Sequence, residues 1–281
     1  MHAESTDSRR LSQSPSRPPD TLAAYVDKLQ AGGQYTFIRE DARRALGLSE
    51  IAFKSAARRL VGKGRILAPR RGFYVVVPLE YSSAGAPPPS WYVDALMKFQ
   101  GHTYYVGLLE AAALHGAAHQ QPQEFQVVTD VALRPVIAGR GRLRFFLKRH
   151  IERTPTIDVK TDTGSMRVST PEATAFDLLR YIESVGHLGN AATVLTELAE
   201  KLDPRRLLAA AQLDVELSVV QRLGFVLDRV GGRRRLTDPL AEWLRAQRPR
   251  LVPLRPDRPT KGSTKDERWQ LLINEEIEAD E

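Results

Sequence analysis

The chain has no cysteine among its 281 residues. That absence excludes disulfides, thiolate nucleophiles and cysteine-ligated zinc modules. Long apolar runs are missing too, with nothing approaching the roughly 18 residues of a membrane-crossing helix. The amino terminus lacks the apolar core of a secretory signal. The expectation is a cytoplasmic protein with no membrane partner. Phosphate-cradling loops are absent as well: there is no GxxxxGK[ST] run, and Gly139-Arg140-Gly141 is only a basic turn. Acidic residues are the minority, 34 against 41 Lys and Arg, which leaves a net charge of +7. That excess favours an anionic partner, nucleic acid first. Hydrophobic residues make up 42 %, enough for a substantial core, and the length suits two or three domains.

Residues 1–19 are Ser, Pro, Arg and Gln with almost nothing apolar, and they read as a disordered tail carrying Arg9, Arg10 and Arg17. Residues 20–80 read as a winged helix-turn-helix. Asp20 is placed to cap a helix with Leu22, Tyr25, Val26 and Leu29 at helical spacing, ended by Gly32-Gly33. A second helix is expected over 36–46, then a tight turn at Gly47-Leu48-Ser49, then a third helix from Ser49 to about Val61. Arg65-Ile66-Leu67 and Phe73 to Val77 flank a basic turn as two strands of a wing. Residues 81–90, with Pro87-Pro88-Pro89, read as a stiff linker. The remainder, 91–281, reads as one α+β region. It has strands near 125–129 and 143–151, a hairpin around Asp162 to Ser165 and a helix opened by Pro171 with Thr170 as its cap. Further helices follow near 191–201, 204–211, 215–230 and from Pro239 to Arg248, and a late strand runs from Trp269 to Ile273. Strands cluster before helices, which argues α+β rather than a doubly wound sheet.

Charge and chemistry concentrate in the first unit. Over 20–80, eleven bases and six acids leave +5. On the third helix, Ile51, Ala56 and Leu60 are expected to face the core, so that Lys54, Ser55, Arg58 and Arg59 project together for the major groove. Arg70 and Arg71 sit at the wing tip, and Arg43 and Arg44 near the DNA backbone. About five neutralised phosphates would give a log–log salt slope near −4 to −5. A second set of bases could form an effector surface: Arg140, Arg142 and Arg144 with Lys148 and Arg149, and Arg233-Arg234-Arg235. His115 and His119 have i,i+4 spacing, but no Glu lies between them and Gly116 interrupts the helix, so no metal site and no cofactor is expected. A metal-dependent nuclease using Asp130, Asp158 and Lys160 is a weaker alternative, because an acid-x-Lys triplet is common by chance. The other is a plain winged-helix regulator with a ligand- or protein-sensing C-terminal domain. No Ser/His/Asp arrangement is visible, and the expectation is a protein without enzymatic activity.

Several stretches carry a resemblance. They are Arg70-Arg71-Gly72-Phe73-Tyr74, the run from Tyr104 to Gly116, the run from Ser169 to Leu179, Gln221-Arg222-Leu223-Gly224-Phe225-Val226-Leu227, and Trp269 to Asn274. In this order they resemble the AbiEi family, the antitoxins of type IV toxin–antitoxin systems linked to phage defence. The resemblance implies a winged helix that binds inverted repeats in the promoter of its own operon and represses it. It also implies a C-terminal part that counters an AbiEii-like nucleotidyltransferase toxin without needing a stable complex. The toxin's Gly-Ser loop followed by paired carboxylates is not found, so the chain looks like the antitoxin half.

Overall fold

A computed structural model of the chain describes residues 21–117, 122–232 and 234–277. The expected tail, the Asp20 cap, His119 and Arg233 lie outside the described residues.

The first unit is helical with a small sheet. Its elements are α1 (Leu22–Ala31), β1 (Thr36–Ile38), α2 (Arg39–Leu46), α3 (Glu50–Gly62), β2 (Ile66–Arg70) and β3 (Phe73–Val76). Thr21 caps α1, its hydroxyl accepting from the Ala24 amide at 3.2 Å. The expected helix over 36–46 is shorter: Thr36-Phe37-Ile38 is β-branched and aromatic, and it pairs antiparallel with β3 instead. The sheet runs β1-β3-β2, which completes a winged helix. Gly47 ends α2 in the left-handed region at φ 62°, and Ser49 caps α3 by accepting from the Ala52 amide at 3.2 Å.

Strand β3 belongs to two cores. Tyr74 and Val76 pack among Val26, Phe37, Phe53 and Leu60 under the helices. Phe73 and Val75 point the other way, into a core with Tyr92, Val93, Leu96 and Met97. Period-two alternation of side chains makes this possible. The wing turn lies against the second unit as well. The rings of Phe73 and Phe99 are 5.4 Å apart, and a Cβ added at Gly72 (φ +90°) would stand 3.5 Å from the Phe99 ring.

The proline-rich segment is a packed joint, not a spacer. Ala86 is buried, the Arg140 amide donates to the Ala84 carbonyl at 2.9 Å, and Trp91 lies 4.7 Å from the Tyr35 ring. Beyond it come α4 (Val93–Gln100), β4 (Tyr104–Val106), α5 (Leu108–Leu114), β5 (Phe125–Thr129), β6 (Val136–Ala138), β7 (Gly141–Leu147), β8 (Thr156–Thr161) and β9 (Gly164–Ser169). These strands form one mixed sheet in the order β6-β7-β5-β4-β9-β8, with β4–β9 and β5–β7 parallel. Tyr104, Val106 and Val127 face α4 and the wing. Tyr105, Val128 and Phe146 face a helical layer.

That layer comprises α6 (Pro171–Arg180), α7 (His187–Leu198), α8 (Pro204–Asp214), α9 (Leu217–Gly231) and α10 (Arg234–Ala246). Thr170 caps α6 as its sequence predicts, accepting from the Ala173 amide at 3.3 Å. Helix α10 starts earlier than Pro239 predicts. Leu236, Leu240 and Leu244 are all buried, so the i,i+4 apolar stripe extends the helix N-terminal to the proline. A short sheet, β10 (Val252–Pro253), β12 (Leu271–Ile273) and β11 (Thr264–Asp266), closes the described chain.

Two of the resemblance stretches meet here. The Gln221 amide donates to the carbonyls of Arg250, Trp269 and Gln270 at 2.9, 3.0 and 2.9 Å. Trp269 is fully buried, its indole N–H donating to Asp228 at 2.9 Å. The ring lies so close to α9 that a Cβ at Gly224 would come within 2.2 Å of it. Gly224→Ala is therefore expected to destabilise the protein by about 1–3 kcal/mol despite the better helix propensity of alanine. Urea unfolding followed by tryptophan fluorescence measures this; an unchanged midpoint would mean the contact has slack.

Candidate nucleic-acid interface

Helix α3 buries Phe53, Ala57 and Leu60, three residues at helical spacing. Of the expected inward residues, Leu60 is buried and Ala56 half-buried, but Ile51 is not inward. Ile51 is 80 % exposed, and Phe53, the largest apolar side chain of the helix, takes the core instead. The opposite expectation survives the change of phase: Lys54, Ser55, Arg58 and Arg59 are all exposed. Lys54 reaches back to Glu50 at 2.8 Å, and Arg39 stands 3.8 Å from the same carboxylate. Lys54 above all holds the Glu50 carboxyl below its ordinary range. Arg58 and Arg59 have no partner among the described residues.

The flanking arginines divide by role. Arg44 is open, its side chain 83 % exposed and only 4.0 Å from Asp41 as an ion pair. Arg71 is exposed. Arg43 instead donates its Nε–H to the Leu48 carbonyl at 3.3 Å, which fastens the turn between α2 and α3. Arg70 is turned inward: it donates to the Arg134 carbonyl and its guanidinium lies 5.7 Å over the Phe145 ring. Burial lowers its pKa. Placement at the wing tip is thus corrected for Arg70, because the docked wing carries it onto the central sheet.

The second basic set is also divided. Arg142 and Arg144 share Glu124 at 3.3 and 3.4 Å, and Arg144 lies 5.1 Å over the Phe146 ring. Arg140, Arg149, Arg234 and Arg235 are exposed. Lys148 is not a surface residue. It is buried, its ammonium 3.1 Å from both Asp177 and the Tyr105 hydroxyl, while that hydroxyl donates to the other Asp177 oxygen at 2.6 Å. Burial, then the Asp177 charge, holds the Tyr105 hydroxyl well above its ordinary pKa. The triad ties β4 and the end of β7 to α6. Asp177→Ala would leave Lys148 charged and buried, at an expected cost of about 3–5 kcal/mol. A paired Asp177→Leu, Lys148→Met variant is expected to be more stable than Asp177→Ala alone. Equal losses in chemical denaturation would contradict the pairing.

Among the described residues the metal-site candidates are not brought together. His115 Nε2 lies 2.7 Å from the Ser169 carbonyl, a satisfied histidine. Asp130 follows β5 and Asp158 lies in β8, with β4 and β9 between them. Three strand spacings put these carboxylates roughly 14 Å apart, too far to share an ion. Among the described residues no cluster of three metal-ligating side chains occurs.

A cleft of about 680 Å³ lies between α5, the proline segment and the β8 edge, lined by Glu110, Leu114, Phe125, Met166, Arg142 and Lys160 among others. Burial pushes the Glu110 carboxyl up to about 7. The folded state therefore favours its neutral form. The resulting stabilisation is complete below pH 4.5 and is lost as pH rises through 7. Glu110→Gln is expected to flatten this fall and to be the more stable protein at pH 8. Thermal unfolding from pH 4 to 8 tests it, and parallel curves for the two proteins would refute it.

Comparison with known proteins now bears on this architecture. Residues 105–229 match the family model of the AbiEi antitoxin C-terminal domain. Over those residues the chain is similar to an antitoxin domain. The match runs from β4 to α9 and contains Tyr105, Lys148, Asp177 and Gly224. No curated protein matches the chain. Among solved structures, the crystal structure of the RV2827C protein from Mycobacterium tuberculosis is similar, with a TM-score of 0.64 at 18 % identity, covering 91 % of this chain and 92 % of that one. At that identity the likeness is one of fold. No helix among the described residues is long and apolar enough to cross a membrane.

Proposed function

We propose that the chain is a DNA-binding antitoxin that represses its own operon through promoter inverted repeats and counters a nucleotidyltransferase toxin. One observation carries the DNA-binding half. A capped helix, the second of a helix-turn-helix, presents Lys54, Ser55, Arg58 and Arg59 outward on a chain that also holds an antitoxin domain. A helix of this kind fits the major groove, where arginine reads guanine edges and lysine holds phosphates. Arg44 and Arg71 supply backbone contacts, while Arg43 and Arg70 act mainly within the protein. With about four phosphates neutralised per protomer, the log–log salt slope falls near −3 to −4.

The toxin-facing half rests on the domain match and on the exposed bases of the second unit, Arg140, Arg234 and Arg235. Operator binding and toxin neutralisation are separate properties of separate surfaces in this reading.

The test is a mobility-shift titration of the full chain on the DNA immediately upstream of its own gene, against an unrelated duplex. Tight, sequence-selective binding is expected. Arg58→Ala or Arg59→Ala should cost about 1–3 kcal/mol and relax specificity at one position if the guanidinium is bidentate to guanine. Arg70→Ala should lower stability with little change in DNA affinity. Equal, weak binding to both duplexes would reduce the basic helix to a charged surface.

A further inference from the structure

Ile51 is an anomaly of the reading helix. It is the second residue of α3 and is 80 % exposed, on the side of the helix away from its apolar face. That face is filled by Phe53, Ala57 and Leu60. Ile51 instead shares a stripe with Lys54, Ser55 and Arg58, at i+3, i+4 and i+7. The stripe thus has an apolar group at its N-terminal end and polar or cationic groups along the rest. Glu50, the acid of the same turn, is held by Lys54 and Arg39, so its charge is compensated beside the DNA-facing stripe.

We propose that Ile51 packs on the C5-methyl group of a thymine in the major groove, and so specifies a thymine within each half-site. The proposal rests on the reading of α3 as a recognition helix. Base edges in the major groove offer donors, acceptors and one apolar feature, the thymine methyl. The N-terminal residues of a recognition helix are the ones that reach base edges. The cations at positions 54 and 58 bring the stripe to a polyanion, and within that partner the methyl is the complement of a bare isoleucine. Ile51 and Arg58 are seven residues apart, about 10 Å along the helix axis, or some three base-pair steps. The thymine therefore lies within about three base pairs of the contact made by Arg58.

The experiment is a single-substitution scan of the operator, each thymidine in turn replaced by deoxyuridine, which lacks only the methyl. Full-length wild type and Ile51→Ala are titrated against every duplex. Ile51 is exposed, so the variant should unfold at the wild-type temperature, and this is measured alongside. One position per half-site is expected to lose about fourfold in wild-type affinity, the value of one buried carbon. Ile51→Ala should bind the natural operator about tenfold or more weakly and be indifferent to deoxyuridine at that same position. Selective binding with no sensitive thymine, or an Ile51→Ala variant that stays equally sensitive there, overturns the proposal and leaves the recognition-helix reading standing. Absence of any selective binding by wild type overturns both.

Discussion

The architecture depends on one strand being shared between two cores. In β3, Tyr74 and Val76 complete the core under the helices, while Phe73 and Val75 complete the core of the central sheet. Neither unit can be removed without stripping buried apolar surface from the other. Each fully buried Phe or Val side chain is worth about 1.5–3 kcal/mol, so two of them match a large part of the stability of a small domain. The proline-rich joint adds to the same effect, with Ala86 buried and Gly139 in close approach to Ala84.

This shared strand decides which cations can meet a ligand. In a free winged helix the tip between β2 and β3 is open. Here it lies on the central sheet, and Arg70 is drawn to Arg134 and Phe145. Arg43 is drawn into the turn before α3. What remains outward is α3 itself, with Arg44 and Arg71 beside it. In the proposed reading, docking of the wing concentrates base readout on one helix. It also fixes the orientation of that helix relative to the second unit, so both belong to one packed body.

Much of this order is legible in the residues, for local reasons. Thr170-Pro171 announces a helix start, Asp162 to Ser165 a hairpin, and Gly47-Leu48-Ser49 a turn between helices. What is not legible depends on tertiary partners. Thr36-Phe37-Ile38 becomes a strand because β3 is there to pair with it. The phase of α3 is set by Phe53, whose place in the core depends on the partners that pack around it. Lys148 reads as one more surface base until Asp177, twenty-nine residues away, is found beside it. The resemblance stretches within the second unit are largely scaffold. Tyr105 and Asp177 form the buried triad with Lys148, and Gln221 and Gly224 hold Trp269.

The measurement that tests this account most directly is native-state hydrogen exchange of the full chain across a urea series. Amides of Val75 in the wing and of Val106 in the central sheet line one core. They are expected to open with the same free energy and the same urea dependence, as one cooperative unit. Exchange of the Val75 amide at a clearly lower free energy, with the central sheet still protected, would contradict it. The winged helix would then be an autonomous module resting against the second unit.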